Sequence, residues 1–438
     1  MFSRLVAHLD MNSFFATVEQ QANPFLRGRP VGVCAYLHRN GCVIAASVEA
    51  KQLGMKVGMT MQEARERVPN AVFVQNEPAK YRAVTSRIFS ILHELTDRVE
   101  HYSIDEAFLD LTGWYRDHAE AAWALTRARR RIYAEVGEWL HCSIGIAQTR
   151  FLAKLASDYQ KPCGLTVVTP ENLDEVLASL DLEDICGIGP RMRRRIARLG
   201  YATPLELKRA PLENLLNAFG QYGYTMWMKL NGQEVEDVAS EAAPPKSIGH
   251  SHCIPNSVNR EGRVEAVLTK LTERAARRLR HEKLLAGSVF VSVGLRGDDV
   301  NGWYGGGGGE FFRLDEPADD SFTLAGAARE LLYELWDGRE PVRFLAVTFT
   351  ELCHPSGQLK FGVWDVGRGT WDVGREREQT MERLACLSKA ADLVRDKHGE
   401  ESISLGGMFR LSGEYAPDRI GFRKTDGVVV KGVGEKSA

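Results

Sequence analysis

Three carboxylates in this 438-residue sequence are placed so that a fold could bring them together: Asp10, and the adjacent pair Asp105 and Glu106. Asp10 ends a short apolar run, Leu5 to Leu9, which reads as a buried strand. Asp105 and Glu106 sit between two alternating stretches, Val99 to Ser103 and Ala107 to Leu111, which read as a hairpin with the acids at its turn. Neighbouring strand residues point to opposite faces, so this pair converges only where the strand bends. Three such groups in one place repel unless cations neutralise them. Ligation by oxygen alone selects hard cations such as Mg²⁺. Two such ions about 3.5–4 Å apart activate an attacking hydroxyl and stabilise a leaving pyrophosphate. Taken without context, the same residues also read as solvated turn carboxylates.

Context comes from groups suited to phosphate. A helix start at Met11 to Phe15 follows Asp10 at once, with Asn12 or Ser13 as its cap, and its free amides can cradle phosphates. Lys161 follows the apolar helix Phe151 to Ala156 and precedes Pro162, and can bring a positive charge to the same phosphates. Lys51 can do likewise, although each lysine alone reads as a solvated surface group.

Holding these groups needs a mixed framework. Residues 31–34, 42–46 and His141 to Ala147 read as further strands; Tyr81 to Thr96 and Ala119 to Leu140 read as helices. This texture runs to about residue 168 and gives way to short helices separated by Gly and Pro up to Gln233. Glu234 to Lys246, acidic and Ala-rich with Pro244-Pro245, reads as a tether. A second α+β unit follows, with helices at Arg263 to Lys283 and Leu324 to Trp336, strands at Ser288 to Leu295 and Val342 to Thr350, and Gly305 to Gly309 as a flexible loop. Beyond Pro355 the sequence is polar and glycine-rich apart from a helix near Arg377 to Lys397. The repeat of Trp364-Asp365-Val366-Gly367-Arg368 at Trp371 to Arg375 reads as a duplication in a loop.

The formal net charge of -2 does not announce nucleic-acid binding, so any such binding must come from local patches. Eight cysteines without a C-x-x-C pair read as reduced thiols. No apolar run reaches the ~18 residues of a membrane span. The N-terminus shows no signal-peptide pattern, which makes the cytosol the expected compartment.

At this point the residues resemble a known family. Asp10-Met11-Asn12-Ser13-Phe14-Phe15-Ala16 with Glu19 is similar to the opening motif of the Y-family DNA polymerases, and Ser103-Ile104-Asp105-Glu106-Ala107-Phe108-Leu109-Asp110 to their second metal motif. Gly145-Ile146-Ala147, Lys154-Leu155-Ala156-Ser157 and Lys161-Pro162-Cys163-Gly164 resemble the next palm segment; Gly187-Ile188-Gly189 resembles the thumb hairpin, and Lys246-Ser247-Ile248-Gly249 the start of the little finger. The likeness covers residues 4–352 and includes the type of bacterial DNA polymerase IV and the polymerase V catalytic subunit.

The resemblance implies an α+β multidomain fold, a right hand with a ferredoxin-like palm (1–20 and 77–168), small fingers (21–76), a helical thumb with a helix-hairpin-helix (169–233), a linker (234–247) and an α+β little finger (248–352). A C-terminal tail, 353–438, remains. It implies that Asp10 and Asp105 bridge two Mg²⁺ ions, that Glu106 binds the catalytic one and that the Met11 carbonyl completes a site, with Mn²⁺ able to substitute. Phe14, Phe15, Lys51 and Lys161 then meet the dNTP, with Phe15 as the steric gate beneath the sugar. Two places depart from the family pattern: Val48 and Lys51 stand where an aromatic residue and an arginine are common, which removes ring stacking and a bidentate fork.

The resemblance implies template-directed translesion synthesis by a monomer that binds primer-template DNA and works near the nucleoid. The DNA grip is read from Gly187 and Gly189 followed by Arg191, Arg193, Arg194, Arg195 and Arg198, and from the basic helix carrying Arg274 and Arg278. Gln358, Leu359 and Phe361 resemble a sliding-clamp peptide, so deleting 356–438 is expected to spare distributive synthesis and abolish clamp stimulation. Two rivals remain: a catalytically weak accessory protein that binds DNA and repair partners, and a nucleotide cyclase on a related palm.

Overall fold

A computed structural model describes residues 4–39, 41–239, 244–254, 258–259, 262–295, 306–355, 363–365, 370–372 and 375–408. The chain forms two compact units, and the division between them falls in sequence between positions 243 and 244, inside the expected tether.

The first unit is built on a five-stranded sheet ordered β5-β6-β1-β7-β8. Its strands are β1 (Val6–Met11), β5 (Val99–His101), β6 (Glu106–Asp110), β7 (Cys142–Ala147) and β8 (Leu165–Val167). β1 is central, pairs antiparallel with both β6 and β7, and is buried along its whole length. Alternation along β1 sends Leu5, Ala7, Leu9 and Met11 into one core, with α1 (Phe14–Ala22), α4 (Pro78–His93) and α5 (His118–Arg131). Val6 joins a second core, with Phe108, Ala147 and α6 (Arg150–Tyr159). Asp10 has the parity of Val6 and therefore belongs to the α6 side. Gly145 permits this close approach, because a Cβ there would lie 2.1 Å from the Ala153 carbonyl oxygen.

A smaller sheet, β3-β2-β4, is formed by β2 (Val31–Cys34), β3 (Val43–Ala46) and β4 (Val72–Gln75). Short helices from α7 (Leu173–Ala178) to α11 (Gln221–Leu230) share the core of α6 through Leu173, Leu177, Met226 and Leu230. The long helix expected over Ala119 to Leu140 ends at Arg131 and passes into a wider turn, Ile132–Val136, stopped by Gly137.

The second unit has an antiparallel sheet ordered β11-β10-β12-β9: β9 (Ile248–Cys253), β10 (Leu285–Leu295), β11 (Gly306–Ala318) and β12 (Val342–Cys353). Helices Val264–His281 and Ser321–Leu335 share its core with Val289, Val291, Leu345, Val347 and Phe349. Two loop expectations are corrected. Gly306 to Gly309 are strand residues paired with Leu295 to Ser292. The two copies of Trp-Asp pair across a short hairpin, Val363–Asp365 with Thr370–Asp372 and Trp364 opposite Trp371.

The basic helix Val264–His281 is met by acids from the C-terminal segment. Arg274 pairs with Glu400, Arg277 with Asp396, and Arg280 with Asp392 at 2.6 Å, while Arg395 returns to Glu273. The Arg280 and Arg395 side chains are 4% and 3% exposed. Deleting 356–438 would strip these partners away, because helix Arg375–His398 is part of this unit's architecture. Removing one partner of a buried pair leaves an uncompensated charge, and Asp392→Ala is expected to cost the second unit about 3 kcal/mol in urea unfolding. Loss of the exposed Glu351 carboxylate beside Arg313 should leave the midpoint nearly unchanged.

Acid sensitivity has a separate source. The His101 ring packs on Phe89 at 4.3 Å, with its Nε2 2.9 Å from that of His93. Burial, with His93 adding to it, lowers His101 to about 4. The unfolded chain therefore takes up this proton first, and stability present above about pH 6.5 is lost progressively as pH falls towards 4. In urea titrations, His101→Phe should lose less stability than the wild type between pH 7 and pH 5.

Candidate active site

Register sets the site. Asp10 lies directly opposite Glu106 across β1 and β6, and the Met11 amide donates to the Asp105 carbonyl at 3.0 Å. The hairpin turn between His101 and Glu106 thus bends Asp105 beside the cross-strand pair, as the sequence suggested. Two like charges about 5 Å apart repel by about 3 kcal/mol at an effective dielectric of 20. Lysines answer them. Lys161 Nζ donates to Asp10 Oδ2 at 2.8 Å and also meets Asp158 at 2.6 Å. Lys154 Nζ donates to Glu106 Oε2 at 2.8 Å. Ser103 Oγ donates to Asp105 Oδ1 at 2.5 Å.

The compensation is uneven. Burial pushes Asp10 up to about 7 in spite of Lys161, with Glu106 and Asp105 adding to the rise. Burial likewise raises Asp105. Burial acts upward on Glu106 too, but His8 and Lys154 outweigh it and hold that carboxyl well below the usual range. Asp10 and Asp105 therefore carry charge that the protein alone leaves poorly balanced. An all-oxygen donor set with that imbalance fits hard divalent cations. Among the described residues no three His, Cys, Asp or Glu side chains are grouped so that they could hold a metal ion as they stand, because each carboxylate rests one oxygen on a lysine or serine.

Asp10, Met11, Phe14, Phe15, Lys51, Asp105 and Lys161 line one cleft of about 640 Å³. Ile44, Ala45 and Val48 form its other wall, so Val48 and Lys51 do face this space. Burial, followed by Lys161, lowers the Lys51 ammonium. Glu106 is not among the lining residues; it turns to Lys154 on α6. Asn12 does not cap α1: its amide donates to Ser143 at 2.9 Å and its Oδ1 accepts from the Cys163 amide at 2.8 Å. Ser13 holds the cap position at φ 52° without a capping bond. Asn12 thereby ties the start of α1 to the loop that carries Lys161.

Other contributors were not singled out from sequence. His8, wholly buried, accepts or donates at Ser157 (2.7 Å) and brings Nε2 to 3.7 Å from Glu106. On α4, the Thr85 hydroxyl donates to the Ile104 carbonyl at 2.6 Å, next to Asp105. Tyr81, one turn earlier, stacks on Phe15 at 4.4 Å. Apolar periodicity marked α4 as a helix, but nothing in that pattern separates a core tyrosine from one that backs a site residue.

The expected DNA grip divides. Gly187 adopts φ +99°, Gly189 precedes Pro190 at the start of α8 (Pro190–Ala197), and Arg191 is exposed. The Tyr222 hydroxyl fixes the hairpin by donating to the Gly187 carbonyl at 2.8 Å. Arg274, by contrast, is taken by Glu400 with only 13% of its side chain exposed, and Arg278 is partly exposed on the same helix. Gln358, Leu359 and Phe361 lie outside the described residues.

Residues 9–158 match the impB/mucB/samB family, and residues 245–361 match that family's C-terminal domain. The DNA polymerase IV of Moorella thermoacetica is 34% identical over 90% of this chain and 93% of its own. That of Streptococcus pneumoniae serotype 2 is 33% identical over 80% of this chain and 97% of its own. The chain belongs to the Y-family of DNA polymerases. A solved Y-family DNA polymerase chimera superposes with a TM-score of 0.68 at 25% identity, covering 80% of this chain and all of that one. The α+β polymerase fold of the Y-family is thus present, and the five-stranded sheet belongs to the first unit.

For this Y-family chain the two basic surfaces should behave differently. Arg191→Ala is expected to reduce the salt slope of primer-template binding by about 0.9. Arg274→Ala should leave that slope unchanged and lower the unfolding midpoint instead. Fluorescence anisotropy across a salt series checks both.

Proposed function

We propose that this DNA-directed DNA polymerase performs translesion synthesis, joining dNTPs to a primer 3′-end with two divalent cations. The carrying observation is the convergence of Asp10, Asp105 and Glu106 beside a cleft that also holds Phe15, Lys51 and Lys161. Asp10, Asp105 and Glu106, with the Met11 carbonyl, would hold two Mg²⁺ ions, for which Mn²⁺ can substitute. Ions held there would supply the lowering of the attacking hydroxyl's pKa and the neutralisation of charge on the departing pyrophosphate.

The chain's own groups do the rest. Lys161 and Lys51 set positive charge in the cleft, where a triphosphate's charge is greatest. The first amides of α1 offer donors at the same end. Phe15 presents an aromatic ring where the sugar of the incoming nucleotide would rest. Lys51 keeps the charge of the usual arginine without its planar fork, and Val48 offers no ring to stack on the base. Both substitutions loosen the hold on the nucleotide without touching the carboxylates.

Residues 1–20 and 77–168 serve as palm, 21–76 as fingers, 169–233 as thumb and 248–352 as little finger in this reading, with 234–247 as the linker. The unit division at Ala243 and helix Arg375–His398 support extending the little-finger unit beyond Leu352. The partners are primer-template DNA, dNTP and, through Gln358, Leu359 and Phe361, a sliding clamp; the working form is a monomer near the nucleoid. Among the described residues no helix is long and apolar enough to cross a membrane.

Primer extension on undamaged and abasic templates tests the proposal. The wild type should extend in Mg²⁺ and stop on chelation, and Asp105→Ala with Glu106→Ala should lower the rate by about a thousandfold or more. Tight DNA binding without extension would favour the accessory-protein reading.

A further inference from the structure

We infer that His93 and His101 form a metal site of their own, a two-imidazole seat for a transition-metal ion that ties the carboxylate hairpin to α4. The first observation is geometric. His93 ends α4 and His101 ends β5, and their Nε2 atoms lie 2.9 Å apart. The ring centroids are 5.1 Å apart, the separation of two imidazoles that meet head on. Nitrogens aimed at one another in this way share one hydrogen, or ligate one ion. Metal–imidazole bonds of about 2.0–2.1 Å set ligands at right angles about 2.9 Å apart, and tetrahedral ligands about 3.3 Å apart. The spacing is therefore that of neighbouring ligands on Ni²⁺ or Cu²⁺, and Zn²⁺ needs an opening of about 0.4 Å. His93 is the ring free to tilt towards an ion, since it is partly exposed on the last turn of its helix, whereas His101 packs on Phe89 at 4.3 Å.

The second observation is the state of the two rings. Burial lowers both below the usual histidine range, and His93 lowers His101 further. Both are therefore neutral at pH 7, the form that binds metals. No carboxylate or ammonium is among the groups that shift either ring, so no ion pair has to be broken first. Among the described residues neither Nδ1 has a hydrogen-bond partner. The hydrogen shared between the rings can move to the donor's own Nδ1, which leaves both Nε2 lone pairs for the ion and releases no proton. Both side chains are partly exposed, so water can complete the ion's shell. Imidazole suits nickel, copper and zinc, whereas magnesium prefers oxygen, so this seat and the carboxylates select different ions.

The third observation is what such an ion would join. β5 is a three-residue strand at the edge of the sheet, paired with β6 alone. His101 stands opposite Ala107, the residue after Glu106, and the turn between them carries Asp105. That turn is already held to α4 once, where the Thr85 hydroxyl donates to the Ile104 carbonyl at 2.6 Å. Thr85 and His93 are on the same helix, about two turns apart. An ion on His93 and His101 adds a second tie between one helix and one hairpin. Neither histidine lines the cleft, so the ion leaves the space of the nucleotide free.

Calorimetric titration of the full-length protein with Ni²⁺, in saturating Mg²⁺ to occupy the carboxylates, tests the inference together with amide hydrogen exchange. The wild type should bind a Ni²⁺ ion that His101→Phe, which keeps the packing on Phe89, holds about a hundredfold more weakly or not at all. His93→Gln should lose the ion equally, and it serves if the phenylalanine variant does not fold. With Ni²⁺ at about a hundred times its dissociation constant, exchange over residues 99–107 should slow by up to about a hundredfold in the wild type and in neither variant. No Ni²⁺ binding by the wild type overturns the inference. Binding of equal strength in both variants overturns it as well, by placing the ion on other histidines or on thiols. Binding that both substitutions abolish, with exchange over residues 99–107 unchanged by Ni²⁺, overturns the tie to the hairpin.

Discussion

Asp10 and Glu106 face each other across two antiparallel strands, and the rest of the first unit can be understood from that repulsion. A sheet does not place like charges opposite one another without compensation. Here β1 and β6 are so apolar on their other face that the register cannot slip: a shift of one residue would turn Leu9 towards the α6 side and Asp10 into the core formed with α1 and α4. Apolar burial thus enforces the charge pair, and α6 exists where it does to answer it. Lys154 reaches Glu106 from within that helix, and Lys161 reaches Asp10 from just beyond its end. Gly145 lets the helix come close enough.

The opposite side of the sheet carries a different constraint, rigidity. α4 lies against α1 and the carboxylate turn together, through Tyr81 and Thr85. Asn12 ties β7 and the Cys163 backbone to the start of α1. The cleft is therefore bounded by groups whose positions are not independent. Its polar end is held by ion pairs and its apolar end by stacked rings, which suits a ligand with a charged triphosphate and a neutral sugar.

Much of this was legible in the sequence where local pattern and global structure agree. The run Leu5 to Leu9 and the alternation around Ile104 report strands because both faces of β1 and one face of β6 are buried. The glycine run failed for a physical reason. Glycine is a poor strand former, yet β11 needs it: a Cβ at Gly309 would lie 2.5 Å from the Phe290 ring, and Gly307 sits at φ +110°. The basic helix failed for another. Periodicity reports a charged face but not its cover, and the acids that meet Arg274 and Arg280 come 126 and 112 residues later. Tyr81 and His8 were invisible because each reads as an ordinary core residue until its neighbour across the fold is known.

In the proposed mechanism Asp10, Asp105 and Glu106 form a divalent-cation site whose charge the lysines only partly balance. Mn²⁺ binding to the free protein, followed by electron paramagnetic resonance, addresses it without any turnover. Saturable binding is expected, competed away by Mg²⁺ and abolished by Asp105→Ala with Glu106→Ala, while Tyr81→Phe binds like the wild type. Wild-type binding that survives the double substitution would place the metal elsewhere and rule out the three carboxylates as its ligands.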